Sequence, residues 1–596
     1  MVDSAPRLLT DLFVSVPKPV QRLLDRTLQL PDLRQLYNRA CHNSQTPLSR
    51  ALIELLQIDM RVQPSELERI PCSGPLVVVA NHPFGILDGL MLDAVLWGVR
   101  RDVKILTNSL VADAAEISER CIPVDVFSPA ASATNLKAVR QAKSWLRDGH
   151  AMVVFPAGEV SHWRADRGCV SDPPWSELAA RLAIAAEAPV APIYFVGCNS
   201  LAFQIAGFVH PRLRTVRLPR ELFQKRGSIM ELRIGVPVRP AKLCEQGSAS
   251  AATEYLRART YMLAHRGRDD SEQVCGSRSL QRTNARAARI TAETRGVCEE
   301  IGLLEKRGCK ILETSAYAVF AERGEALGAV LSEIGRLREL TFRIVGEGTG
   351  KAVDLDRFDP YYTQVVLWNK QESAIAGGYR LAWTDDVLPA HGVRGLYTST
   401  LFRFAPPFFE KMGSSVELGR SFVCAEFQRD YAPLMLLWQA IGRLIGSRPH
   451  APVLFGPISI SAQYSEPAAA LIVEFLKRRR LRADLAAFVS PRHPFRSRLT
   501  RANEIRSIVA CLRELDDLSA PLAEIQRDTD VPVLLRHYVR LGGRVTAFNV
   551  DHNFSNVIDG LLVVDLRQTA PKLLSRYLGA ETAAAFLRDA CDPRSA

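Results

Sequence analysis

Residues 76–90 read Leu-Val-Val-Val-Ala-Asn-His-Pro-Phe-Gly-Ile-Leu-Asp-Gly-Leu. Val77 to Val79 have the branching and length of a buried strand, while Pro83 and Gly85 forbid its continuation and bend the backbone just past His82. A strand therefore ends where a His and an Asp begin. Acyl transfer to a hydroxyl needs a base near its working pH and a carboxylate that fixes the imidazole tautomer and steadies the imidazolium. His82 and Asp88 are those residue types at loop-length spacing. By spacing alone they also fit an ordinary polar turn.

A second β run, Met152-Val-Val-Phe-Pro-Ala-Gly-Glu-Val-Ser161, ends in the same way, with a carboxylate and a hydroxyl just beyond Pro156. If the two strands are neighbours in a sheet, both loops face one pocket. With Ile122-Pro-Val-Asp125 and Ala188-Pro-Val-Ala-Pro192, the order of blocks over roughly residues 50–245 resembles the lysophospholipid (glycerolipid) acyltransferase family. That family has an Asn-His-x4-Asp motif, a Phe-Pro-Glu-Gly-Thr-like motif and a Val-Pro-x-x-Pro-like strand. The resemblance implies an α/β domain in which His82 activates a lyso-lipid hydroxyl, Asp88 orients His82, and Glu159 shapes the site. It also implies that Asn81, Gly85, Pro156, Gly158 and Ser161 contact the substrate. Two departures stand out: five residues rather than four separate His82 from Asp88, and Ala157 stands where the family usually has Glu, with Glu159 two positions on. Both variants resemble the branch that acylates lyso-aminolipids.

A chain of 596 residues exceeds what one core supports, so at least two domains are expected. Twelve Cys lie scattered without a Cys-x-x-Cys pair, which argues against a zinc site or a disulfide framework and for reduced thiols. The net charge of +12 favours an anionic partner. One basic cluster, Arg212, Arg214, Arg217, Arg220, Lys225 and Arg226, is interleaved with Leu213, Val216, Leu218, Leu222 and Phe223; another runs from Lys477 to Arg482. Cations mixed with Leu and Phe suit an anionic membrane surface, an acidic carrier protein or a solvated face, and no nucleic-acid motif accompanies them. No stretch reaches the ~20 apolar residues of a membrane span and the N-terminus lacks a signal peptide. The expectation is a cytoplasmic protein, peripheral on the inner face of a bacterial cytoplasmic membrane. Residues 7–14 and 20–30 have helical spacing that suits an interface or the protein's own core.

Spacing predicts helices over 91–99 and 135–147 and strands over 103–106 and 231–238, the alternation of a largely parallel sheet. From 265 the text turns polar. The reading places an acyltransferase-like domain at 1–264, a linker at 265–305 and a second domain at 306–596. There, 365–368 and 373–381 read as a hairpin, 416–423 as a strand and 433–445 as a helix.

The blocks Arg336-x-Arg338-Glu-Leu-Thr-Phe-Arg343, Asp354-Leu-Asp-Arg-Phe-Asp359, Gly378-Tyr-Arg-Leu381 and Glu417-Leu-Gly-Arg-Ser-Phe422 resemble the acyl-homoserine lactone synthases of the GNAT superfamily. Tyr397-Thr-Ser-Thr-Leu-Phe-Arg-Phe404 and Leu454-Phe-Gly-Pro-Ile-Ser-Ile-Ser461 bring the resemblance closer to ornithine N-acyltransferases, over about 310–570. It implies Glu417 as base or ammonium binder and Arg420 as holder of an oxyanion or carboxylate. Arg338, Phe342 and Arg343 would form a gate near the acyl donor, with Arg380 and Ser421 in the substrate site. By spacing alone, Glu417 with Arg420 also reads as a cross-strand ion pair, and 338–343 as an amphipathic helix.

Together the halves resemble bifunctional ornithine lipid synthases. The implied chemistry is N-acylation of an amino acid by a 3-hydroxyacyl group, then O-acylation of the new hydroxyl. No metal or diffusible cofactor is implied, since acyl carrier protein or coenzyme A thioesters supply the driving force. Cys424-Ala-Glu-Phe-Gln-Arg-Asp-Tyr is too bulky and acidic for the glycine-rich turn that cradles a pyrophosphate, which favours the carrier protein. Glycine, lysine or glutamine as acceptor, or a degenerate haemolysin-like protein, remain alternatives.

Overall fold

The computed structural model describes residues 29–41, 46–108, 118–124, 132–267, 292–499 and 502–590. The chain forms two compact units, one of residues 1–266 with 501–511 and 523–527, the other of 267–500 with 512–522 and 528–596. Both are α/β.

The first unit is built on a seven-stranded sheet of β1 (Asp59–Arg61), β2 (Leu76–Ala80), β3 (Val103–Asn108), β4 (Cys121–Val124), β5 (Ala151–Val154), β6 (Val190–Phe195) and β7 (Ile229–Ile234), in the order β1-β7-β6-β2-β5-β3-β4. All neighbours are parallel except β6 and β7. β2 lies near the middle with all five residues buried, because a strand covered on both faces needs an unbroken apolar run. The strands β2 and β5 are direct neighbours, Leu76 opposite Ala151 through Val79 opposite Val154, so their two following loops emerge side by side.

The second unit holds an eight-stranded sheet of β8 (Lys310–Glu313), β9 (Tyr317–Arg323), β10 (Thr363–Asn369), β11 (Ala374–Trp383), β12 (Ser415–Val423), β13 (Val453–Ile460), β14 (Arg544–Asp551) and β15 (Val557–Asp565), in the order β8-β9-β10-β11-β12-β13-β15-β14. The hairpin read from the sequence is β10 and β11. One pair, β12 with β13, is parallel. In β12 a bulge opposite Gly378–Arg380 puts Arg420 at φ +51°, a left-handed conformation costly for a residue with a Cβ.

Two boundary expectations change. The helix Ala292–Lys306 buries Val297, Ile301 and Leu304 in the second unit's core, so that part of the 265–305 linker is structure; residues 268–291 lie outside the described residues, as do 1–28 with most of the predicted N-terminal helices. The second domain is also not wholly self-contained, since Glu504 and Glu524 count with the first unit. Glu524 is fully buried and takes the Arg259 guanidinium at 2.9 Å, and Arg266 donates to the Glu524 carbonyl at 2.7 Å and pairs with the buried Glu66. His265 Nε2 meets Glu504 at 3.0 Å.

A buried ion pair broken from one side leaves an uncompensated charge at a cost of about 3–5 kcal/mol. Glu524→Ala, far along the chain from the first unit's other residues, is therefore expected to lower that unit's stability by about that amount. Thermal melting monitored at its tryptophans checks this, and an unchanged melting curve refutes the placement of Glu524.

Candidate active site

The N-terminal site begins where β2 ends. Asp88 lies in the first turn of the helix Ile86–Trp97, with no solvent exposure, and accepts from the backbone N–H of Phe84 and of Gly85, both at 2.9 Å. His82 Nδ1 stands 2.9 Å from the same carboxylate oxygen. The fifth intervening residue is absorbed at Gly85, whose φ of +77° folds the loop back, so the longer spacing still closes the pair. A Cβ at Gly85 would lie 2.9 Å from Leu218. Burial raises the Asp88 carboxyl above its usual range, opposed by His82 and the two amides. An Nδ1–H donated to Asp88 leaves the Nε2 lone pair of His82 as a base, and His82 remains partly exposed to receive a proton. Its ring packs on Phe155 with centroids 4.4 Å apart, which limits its rotation.

The loop after β5 is stitched to this one through its main chain. Ser161 N donates to the His82 carbonyl at 2.8 Å, while Asp172 accepts from His82 N at 3.2 Å, from Trp175 Nε1 at 2.8 Å and from the Ser161 hydroxyl. Asp172 was not singled out from the sequence, because Ser171-Asp-Pro-Pro-Trp175 matches no chemical motif and its role depends on a contact across ninety residues. Several expected substrate contacts prove to be braces. Asn81 is buried and spans to β6, donating to the Phe195 carbonyl at 3.1 Å and accepting from Phe195 N at 2.7 Å. Ser161 is occupied by Asp172, and the buried Pro156 has its carbonyl taken by Ser176 N. Gly158, at φ +67°, turns the loop, and Glu159 beyond it is 61% exposed with Arg214 3.6 Å away. Of the motif side chains, His82, Asp88 and Glu159 are those whose placement suits chemistry.

In the second unit the expected site residues form a buried ionic lattice. Arg338 donates to Asp359 at 2.8 Å and Gln364 at 2.7 Å, and Arg380 grips Asp356 with both terminal nitrogens at 2.7 and 2.8 Å. Burial alone would raise the Asp359 carboxyl, yet Arg380 and Arg338 hold it well below the usual carboxylate range. Three expectations are corrected by these contacts. Arg338 is fully buried on the helix Ala329–Ile344, Phe342 packs edge-on to Phe554 with centroids 5.4 Å apart, and Arg343 pairs with Glu339 at 2.6 Å, so this stretch is a packed helix and not a gate. Glu417 is buried and accepts from Thr398 N at 2.7 Å on one oxygen and from Tyr397 N at 3.0 Å and the Tyr362 hydroxyl on the other, so most of its acceptor capacity is spent within the fold. Arg380 is likewise committed to carboxylates.

Arg420 remains a candidate. It meets Asp354 at 2.9 Å and the Tyr397 hydroxyl at 3.2 Å, between the rings of Tyr397 and Phe554, with Ser421 half-buried next to it. The acidic groups within electrostatic reach include Glu347 and Asp559. Burial raises both carboxyls; Asp551 and Glu347 push Asp559 further up and Arg420 opposes. Among the described residues, no group of three or more His, Cys, Asp or Glu side chains is arranged to hold a metal ion.

Residues 15–269 match the family described as Acyltransferase, and residues 337–439 the family described as Acetyltransferase (GNAT) domain. A glycine N(alpha)-acyltransferase of Bacteroides thetaiotaomicron is 30% identical over 276 residues, 44% of this chain and 81% of that protein. The chain belongs to the acyltransferases. It joins an N-terminal acyltransferase domain to a C-terminal GNAT domain in one polypeptide. A second glycine N(alpha)-acyltransferase, from Phocaeicola vulgatus, is 31% identical over 249 residues, 39% of this chain and 76% of that protein. A lyso-glycine lipid O-acyltransferase of B. thetaiotaomicron is 26% identical over 263 residues, 42% of this chain and 91% of that protein.

The acyltransferase should separate chemistry from stability at Asp88. Because burial raises this carboxyl in the fold, its ionised form costs stability above the folded pKa, and Asp88→Asn removes that cost while presenting the wrong partner to His82 Nδ1. O-acyl transfer is expected to fall about 10²- to 10⁴-fold with no loss in melting temperature; a variant that melts early at full turnover would make Asp88 a structural residue. Glu417→Gln should do the reverse. Its amide would oppose the N–H of Tyr397 or Thr398, costing about 1–3 kcal/mol, which calorimetry of the full chain reads. Normal melting with lost amide formation would restore Glu417 to the base role.

Proposed function

We propose that the two domains build a doubly acylated amino-acid lipid. The GNAT domain joins a 3-hydroxyacyl group from an acyl carrier protein thioester to the α-amine of an amino acid, and the N-terminal domain esterifies the new hydroxyl. His82 Nε2 takes the hydroxyl proton as the oxygen attacks the second thioester carbonyl, Asp88 stabilises the imidazolium, and the proton leaves with the thiol. The observation that carries this reading is the closed His82–Asp88 pair at the mouth of neighbouring parallel strands, in a chain similar to both an N-acyltransferase and an O-acyltransferase named for one lipid class.

Two features bear on the N-acylation substrates. The narrow crevice between the parallel strands β12 and β13, walled by Leu418, Pro457, Ile458 and Tyr538, holds little more than a water-sized group and would have to widen to take an acyl chain. The carboxylates Glu347, Asp551 and Asp559 near Arg420 favour an acceptor with a second ammonium group, such as ornithine. The relatives' names favour glycine. For the carrier, Arg480 and Arg482 are held by Glu514 at 2.8 Å and Asp484 at 2.9 Å, so a docking face in that cluster rests on the exposed Lys477 and Arg478.

Expression in a bacterium without aminolipids, fed labelled ornithine or glycine and followed by mass spectrometry of the lipid extract, reads both reactions. The expected product is a diacyl ornithine lipid, and His82→Ala should halt it at the monoacyl stage. Label entering only from glycine would replace the acceptor; a diacyl product at the wild-type rate in His82→Ala would remove His82 from the mechanism.

A further inference from the structure

In the first unit the helix Leu201–Val209 is turned inside out. Its polar Gln204 and its Phe203 face inward, while Leu201, Ile205, Phe208 and Val209 lie on the outer side, each more than half exposed and spaced by four, three and one residues along one face. A helix on a soluble domain shows water its polar stripe. The partner helix Pro211–Gln224 adds the exposed Leu213, and the exposed Arg220 and Arg226 lie further along. Trp163, also exposed, is tied to this pair through its backbone N–H, which donates to Gln204 Oε1 at 2.9 Å.

The helix pair is joined to the catalytic loops. Leu218 closes over Gly85, Lys225 stands 4.8 Å above the Phe84 ring, and Arg214 reaches Glu159 at 3.6 Å. An exposed apolar stripe, with exposed arginines on and just beyond the partner helix and an exposed Trp tied to Gln204, is a composition that suits a helix lying in the headgroup layer. Self-pairing of two copies would cover the stripe but supply no anion to Arg220 and Arg226, whereas an anionic bilayer satisfies stripe and cations together.

We propose that the helices Leu201–Val209 and Pro211–Gln224 form a lipid-docking surface that seats the His82 site on an anionic bilayer. The surface extends the reading of a lipid acceptor, and vesicle binding tests it whether or not His82 acylates a lipid. The full chain is sedimented with vesicles of phosphatidylcholine with or without phosphatidylglycerol. Wild-type protein should favour the anionic vesicles, with salt weakening the preference. Phe208→Ser with Val209→Ser, and separately Arg220→Glu with Arg226→Glu, should each reduce binding about tenfold or more at unchanged circular dichroism and melting temperature. Val533→Ser, at an exposed apolar residue of the other unit, should bind as wild type. Wild-type protein indifferent to vesicles, or stripe variants that bind as well as wild type, would overturn the proposal. A Ser variant that turns a dimer into a monomer in sedimentation velocity without changing vesicle binding would assign the stripe to a second copy.

Discussion

A carboxylate taken wholly out of water must be surrounded by donors or give up its charge, and Asp88 is taken wholly out of water. One of its oxygens accepts from two amides of its own loop and faces the His82 imidazole nitrogen Nδ1 at 2.9 Å. The demand of one buried group thus sets the loop's path, the bend at Gly85 and the tautomer of His82 together. Around it, β2 and β5 run parallel and adjacent, so the second loop arrives where Asp172 and Ser161 can take hold of the His82 main chain. The His82–Asp88 pair is held in place because the His82 backbone is hydrogen-bonded on both sides, at its N–H and at its carbonyl.

The second unit uses the same residue types to another end. Arg338, Arg380, Asp356 and Asp359 meet in nearly closed geometry, with aromatic rings of Phe358, Tyr362 and Tyr397 about Arg380. Such a lattice holds three separate segments in register, and little of it is left over to bind a substrate. Arg420 differs because the β12 bulge holds it in a left-handed conformation, a cost that the ion pair with Asp354 offsets. A strained Arg beside raised carboxyls sets this spot apart from the closed lattice around it.

The sequence by itself determined where strands end and which residue types stand there. Val77–Val79 and Met152–Val154 are apolar runs closed by Pro and Gly, and local sterics suffice to read them. It also offered His82 and Asp88 as a candidate pair, by residue type and by the resemblance of their block, and the split into two α/β halves, while the closed geometry of the pair came from the fold. It could not separate a side chain that acts from one that braces. Asn81, Ser161, Glu417 and Arg380 are the right types in the right blocks, yet they are already engaged by Phe195, Asp172, Tyr397 and Asp356. Only the tertiary structure decided that, because hydrogen bonds between residues 11 to 114 positions apart leave no periodicity in the chain. The same holds for Glu524, which returns to pair with Arg259 across 265 positions, and for the outward apolar stripe of Leu201–Val209. A run of Leu, Phe, Ile and Val reads as core until packing shows which of its faces has no neighbour.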